Sequence, residues 1–255
     1  MYSLCGYVIL YGSCFTPWMD IVALFPLLML ALDRLLTTGK KLFYIFMVAL
    51  SFIINYYLSA MALIYVFLVS GVYILLLCER KEWKKHAWNL GIGTAAGMGL
   101  SCFVLIPVFM QLSGSQRGNA GGSIVSQYLG WIKGAIVTDG SMAAFQRYMM
   151  LYGLSFVLAV ILIGLKKYKE DKKMCRVMAC LLGIALLPMF VEGINLMWHF
   201  GSYNGYTLRN GFLIAFTLLC MGAYYAQKMF ADMPLEKKYI KRQIVIAAVM
   251  CLVYV

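Results

Sequence analysis

Charge is what this sequence has least of. Only 13% of its 255 residues are Asp, Glu, Lys or Arg, where a soluble domain carries about 25%. Acids are scarcest, ten against 22 Lys and Arg. Hydrophobic residues make up 63%, too many for one water-soluble core, and a bilayer is the natural solvent for them. Histidine occurs twice. The eight cysteines, at 5, 14, 78, 102, 175, 180, 220 and 251, include no C-x-x-C pair. They read as small apolar residues of packed helices, so no metal site is expected, and any cofactor is left open. No P-loop, G-x-S-x-G or H-E-x-x-H stretch occurs, which leaves those chemistries without a signature. No basic n-region precedes the first apolar run, and the last run stops without a polar flank. Both ends are therefore expected to be cut, leaving a single incomplete transmembrane domain over 1–255.

What is present is a series of apolar runs. Strong ones cover 21–36, 58–78, 87–110, 148–165 and 208–227, and weaker ones cover 2–15, 42–54, 177–191 and 244–255. Their length and lack of alternation predict helices rather than barrel strands. Eighteen of the 22 basic residues cluster between runs: Arg34 with Lys40 and Lys41, then 80–85, 166–176 and 228–242. That is the positive-inside pattern. It puts loops 37–41, 79–86, 166–176 and 228–242 in the cytoplasm, against anionic headgroups, and loop 111–147 outside. Clusters on one side must be separated by an even number of crossings. With a tight outer turn at 55–57 and an outer loop at 192–207, one topology satisfies every cluster. Inside, 18 basic residues face seven acids; outside, four face three. The expected fold is an all-α polytopic bundle of about 8–9 helices. A nucleic-acid partner is excluded, because no extended basic surface lies outside the loops. Within loop 111–147, the apolar residues from Ile124 to Ile136 predict a short interfacial helix. The stretch Gly91-Ile-Gly-Thr-Ala-Ala-Gly-Met-Gly99 lies inside an apolar run and reads as a small-residue packing face, not a phosphate loop.

The candidate functional residues fall on the outer face. Trp18 and Asp20 precede the run 21–36. Trp18 suits an interfacial anchor and Asp20 an N-cap or a general base toward a hydroxyl. Asn55 and Tyr56 sit in the tight turn, able to turn the chain or to meet a sugar through an amide and a ring face. Glu192 ends one run and Arg209 begins the next. Both placements oppose the helix dipole, and such local conflicts mark functional sites, although a Glu192–Arg209 ion pair is the equal alternative. An Arg beside a helix N-terminus suits a phosphate. His199, Asn204 and Asn210 lie nearby in sequence; a lone loop His is usually inert, with proton transfer as the alternative.

These residues carry a family resemblance. Gly6-Tyr-Val-Ile-Leu-Tyr11, Trp18-Met-Asp20 with the following 25–36, Asn55-Tyr-Tyr-Leu-Ser-Ala-Met61, Leu105-Ile-Pro-Val-Phe109 and Ser113-Gly-Ser-Gln-Arg117 resemble the bacterial YfhO membrane-protein family. So does Tyr206-Thr-Leu-Arg-Asn-Gly-Phe212, except that Leu208 replaces the family's Tyr before Arg209 and no Pro precedes it. The resemblance implies a GT-C glycosyltransferase architecture. It implies transfer of a sugar, outside the membrane, from a polyprenyl-phosphate donor to an envelope polymer such as teichoic acid. It implies a middle portion of such a protein, without the N-terminal outer loop whose acid is usually taken as catalytic. Asp20 matches the Trp-x-Asp position and is the candidate catalytic residue. Arg209 and Arg117 are the phosphate candidates. Trp18, Asn55, Tyr56, Glu192, His199 and Asn210 complete the substrate-binding set. The alternatives are a transporter or lipid flippase, which would need ionisable groups near the bilayer midplane, and a nonenzymatic scaffold or inactive fragment.

Overall fold

The computed structural model describes residues 2, 5–12, 15–114, 154–200 and 208–232. Among them the regular elements are all helical. In chain order they are α1 (Gly6–Gly12), α2 (Thr16–Thr38), α3 (Leu42–Ile54), α4 (Tyr56–Leu76), a 3₁₀ turn (Arg80–Glu82), α5 (Trp83–Leu100), α6 (Cys102–Gly114), α7 (Ser155–Lys167), α8 (Lys172–Phe190), α9 (Glu192–Trp198) and α10 (Gly211–Ala231). Helices α2, α4, α8 and α10 are long and apolar enough to cross a membrane. Helices α5 and α6 make a fifth candidate crossing, broken by a 79° bend. The helical membrane bundle expected from the apolar runs is the fold that forms.

The elements differ from the runs in two places. The run 87–110 is not one continuous helix. Its ladder breaks at Ser101, whose hydroxyl donates to the carbonyls of Gly97 and Met98 at 3.3 and 2.9 Å. Glycines at 97 and 99 and Pro107, which has no N–H, leave little to hold the helix straight there. Among the described residues of the run 2–15, α1 covers seven. The short helix expected within 111–147 and the run 244–255 lie outside the described residues.

Local chemistry sets the helix ends. Pro17 occupies the first turn of α2, where its missing N–H costs nothing. Gly39 ends that helix in the left-handed region, φ 73°, with its N–H bonded to Leu35 O at 3.0 Å. Asn55 breaks α3 from α4, and its side chain accepts from Leu58 N at 3.1 Å. Asp171 caps α8 in the same way through Met174 N.

The bundle is organised around α2, which packs on α1, α3 and α4; α4 packs on α8, α8 on α10, and α10 on α7 and α1. At its centre Phe25 meets Tyr65, Phe212 and Phe216 edge-on at 5.5, 5.4 and 5.1 Å, the geometry that ring quadrupoles favour. Buried hydroxyls are paired across helices. Tyr65 donates to Thr217 at 2.7 Å, because the Thr217 hydroxyl already donates to Leu213 O. Tyr44 pairs with Thr94 at 2.9 Å. The glycine-rich face is a packing face, as its composition indicated. A Cβ on Gly93 would lie 2.9 Å from the Tyr44 ring, and one on Gly97 2.7 Å from Val48 and 2.9 Å from the Ile45 carbonyl.

Contacts between basic loops show which helix ends lie together. Lys173 Nζ donates to Leu77 O at 3.4 Å, Lys228 pairs with Asp171 at 3.8 Å, and Lys167 pairs with Asp232 at 3.6 Å. Tyr168 OH also donates to Asp232, at 2.6 Å. The loops at 79–86 and 166–176 and the end of α10 therefore meet at one end of the bundle. Arg209 lies at the other end of α10.

Candidate functional site

That other end is built from aromatic rings. Tyr7, Tyr11 and Phe15 recur at a spacing of four and so rise along one side of the chain. Tyr7 and Tyr11 are 4.7 Å apart, Tyr11 lies 5.3 Å from Trp18, and Phe15 stacks on Trp18 at 4.5 Å. Tyr57, in the first turn of α4, meets Phe200 edge-on at 6.2 Å. Arg209 stands between the two groups. Its guanidinium carbon is 5.6 Å from the Trp18 ring centre and 5.3 Å from that of Tyr57. Each ring face attracts the cation by about 0.5–2 kcal/mol. The backbone of Arg209 is held as well, since Tyr7 OH donates to its carbonyl at 3.1 Å. A fixed positive charge thus sits two residues before a 21-residue helix whose N-terminal N–H groups share its sign. This arrangement favours an anion.

His199 adds a second function to the cluster. It closes α9, is buried at 2% exposure, and its Nδ1 lies 2.8 Å from Asn195 O. That contact makes Nδ1 the protonated nitrogen and leaves Nε2 with the lone pair. Burial pushes the imidazole pKa down to about 4, against the pull of the Asn195 carbonyl and with the added effect of the Arg209 charge. The ring is therefore neutral at pH 7. The next residue, Phe200, has φ 54°, the left-handed region that a bulky side chain rarely enters. Such strain costs about 1–3 kcal/mol and concentrates at functional sites.

The low pKa has a measurable consequence. An unfolded His binds its proton near pH 6.5, whereas folded His199 stays neutral to about pH 4. Its contribution to stability is complete above pH 6.5 and declines as the pH falls toward 4, by on the order of 3 kcal/mol in all. We expect thermal melts in detergent to show this acid loss, and a His199→Gln variant to show a shallower one. Parallel slopes for the two proteins would remove His199 as the cause.

The candidates from sequence are only partly brought together. Trp18, His199, Arg209 and, beside it, buried Asn210 belong to the cluster. Asp20 does not. It caps nothing, because α2 starts four residues earlier at Thr16, where Pro17 favours initiation. It is exposed and lies roughly 200° around the helix from Trp18, on the face continued by exposed Leu27 and Leu30. Asn55 is used as a helix cap. Tyr56 is 36% exposed, and the neighbouring Tyr57 takes the place beside Arg209. Glu192 does not end a helix against its dipole. The chain breaks at extended Val191, and Glu192 is the first residue of α9, where the dipole favours a carboxylate. Arg117 and Asn204 lie outside the described residues. Sequence reasoning missed Tyr7, Tyr11, Phe15, Tyr57 and Phe200. The four-residue spacing of the first three was the available signal.

The family model described as bacterial membrane protein YfhO matches residues 1–255. No curated protein and no solved structure matches the chain.

Proposed function

The chain belongs to the YfhO family of bacterial membrane proteins, and on that premise we propose that it is part of an extracytoplasmic glycosyltransferase. It moves a sugar from a polyprenyl-phosphate carrier to a cell-envelope polymer such as teichoic acid. One observation carries the reading: a guanidinium fixed between Trp18 and Tyr57 at the end of the bundle away from the basic loops. In such a transfer an acceptor hydroxyl attacks the anomeric carbon, the bond from that carbon to the phosphate oxygen breaks, and the hydroxyl proton passes to a base. The phosphate leaves as an anion, so the reaction needs a cation there more than an acid. Arg209 supplies the cation. Trp18 and Tyr57 hold its guanidinium plane in place from either side. His199 and Asn210 border the sugar, with Asn55 and Tyr56 on the rim. Asp20, standing apart from Arg209, acts on the acceptor side as the base. Arg117 and Glu192 are the remaining candidates for contact with the substrate.

Transport is the less favoured reading. The described parts of the crossing helices carry no Asp, Glu, Lys or Arg in their central turns, where a transporter would place its coupling groups.

The test is a transfer assay in membranes that contain the complete protein, with radiolabelled polyprenyl-phosphate sugars as donors and envelope polymer as acceptor. Label is expected in the polymer with wild type. With Asp20→Asn it should fall by about 10²–10⁴-fold, the usual weight of a general base. Full activity of Asp20→Asn would remove it from the reaction. A wild type inert toward every donor offered would overturn the enzyme reading.

A further inference from the structure

Most rings around Arg209 are already covered. Phe15 lies flat on Trp18, and the Arg209 guanidinium stands over the same indole. Tyr57 carries that guanidinium as well, and its hydroxyl is buried. Tyr7 and Tyr11 are closed off in the core. These rings hold the cation and offer little face to anything else. Phe200 differs. It meets Tyr57 edge-on at 6.2 Å without stacking on it, and at 55% exposure it is the most open ring of the group. Its backbone reaches this position at a cost. The Phe200 N–H bonds Met197 O at 3.3 Å at the end of α9, and the chain turns there with φ 54°. A left-handed residue commonly ends a helix, and it is usually glycine, because a Cβ is crowded in that region. Gly201 is next in the sequence, yet the turn is made one place earlier, by a phenylalanine. A ring that merely touched lipid would not require that.

The same cluster holds acceptors without donors. Asn195 Oδ1 and Asn210 Oδ1 are buried and have no hydrogen-bond partner among the described residues. Asn195 lies one helical turn before His199, whose Nδ1 bonds its carbonyl, and Asn210 adjoins Arg209. Buried oxygens of this kind call for donors. An open ring face, two amide oxygens and a cation together describe a ligand in three parts. The face of an aromatic ring is electron-rich and attracts the slightly positive C–H groups on the apolar face of a pyranose. Hydroxyls on the rim of that pyranose supply the amide oxygens. A phosphate on its anomeric carbon reaches Arg209. We infer that Phe200 is the platform on which the sugar of the donor lies, with Asn195 and Asn210 reading its hydroxyls. Phe200 is thus a specificity-determining residue, selecting a ligand by the C–H face it presents. This rests on the reading of Arg209 as the phosphate site.

Binding to the purified chain in detergent tests it. The probes are methyl phosphate, as the phosphate alone, and the 1-phosphates of glucose, galactose and N-acetylglucosamine, both anomers of each. Wild type is expected to hold at least one sugar phosphate about tenfold tighter than methyl phosphate. Phe200→Leu keeps an apolar side chain but has no ring, and Phe200→Gly removes the side chain and relieves the backbone. Both should bring that sugar phosphate down to the level of methyl phosphate. Methyl phosphate itself should bind them as it binds wild type, which reports an intact site. Phe200→Tyr keeps a ring face and should keep the preference. If Phe200→Leu and Phe200→Gly retain the wild-type preference, the sugar does not lie on Phe200. If Phe200→Tyr loses it as fully as Phe200→Leu, a ring face is not what the sugar meets. If wild type binds methyl phosphate but no sugar phosphate more tightly, the platform is refuted and the phosphate site stands. If wild type binds neither, the reading of Arg209 fails, and the platform with it.

Discussion

Arg209→Lys is expected to lose sugar transfer nearly as completely as Arg209→Ala, by about 10²–10³-fold in the transfer assay. The equivalence of the two follows from how the charge is held. A guanidinium is flat and weakly hydrated and can lie against the Trp18 and Tyr57 rings while its edge meets a phosphate. An ammonium keeps the charge but is compact and strongly hydrated, and it offers no plane to stack. It would leave the slot for water or sit displaced within it. Trp18→Ala should therefore reproduce part of the loss with Arg209 intact, by about tenfold, because one of two faces is removed. If Arg209→Lys retains most activity, charge alone suffices and the aromatic clamp is incidental. If Arg209→Ala retains it, no phosphate is held there.

The second large effect concerns stability. Gly97→Ala should destabilise the bundle by about 1–3 kcal/mol, the usual cost of overpacking, and Gly97→Leu should yield no folded protein in detergent. The added Cβ would fall 2.7 Å from Val48 and 2.9 Å from Ile45 O. The Val48 Cβ is fixed to its backbone, and neither it nor a carbonyl inside α3 can move without carrying the helix along. Gly91→Ala serves as the control, since a Cβ there meets nothing within 4 Å. It should be neutral or slightly stabilising by helix propensity. Melting curves of the three variants against wild type would decide, and equal melting of Gly97→Ala and Gly91→Ala would show that α3 and α5 are not pressed together.

Much of the fold was legible because bilayer and charge leave few choices. Length selected helices, and basic clusters required paired crossings. Even the 13-residue α3 was readable, because Asn55 ends it and the basic residues before it begin it. The site was legible in its cation and in Trp18 but not in its partners. Reading Tyr56 or Tyr57 as the inward residue requires the rotation of α4. That helix is apolar on all sides, so its sequence has no polar face to fix the rotation. The structure shows the phase through the buried face of α4, Leu58, Met61, Ala62 and Tyr65. Asp20 and Glu192 depended on single residues that start a helix. Pro17 was a readable signal for the first, whereas Val191 gave none for the second.

The break at Ser101 changes the course of the chain beyond α5. Helix α5 has 18 residues, but its first four belong to the basic loop, so the apolar part 87–100 rises ~21 Å, short of the ~30 Å of a hydrocarbon layer. The 13 residues of α6 carry the apolar run onward. Turned by 79°, they run ~19 Å sideways as a shelf, with Phe103, Ile106, Phe109 and Met110 as its broad apolar surface. The chain leaves α6 at Gly114, at the edge of this shelf, instead of directly above α5. A protein with such a ledge occupies a wider area of its leaflet than its number of crossings implies, and leaflet lateral pressure acts on it as on a lever.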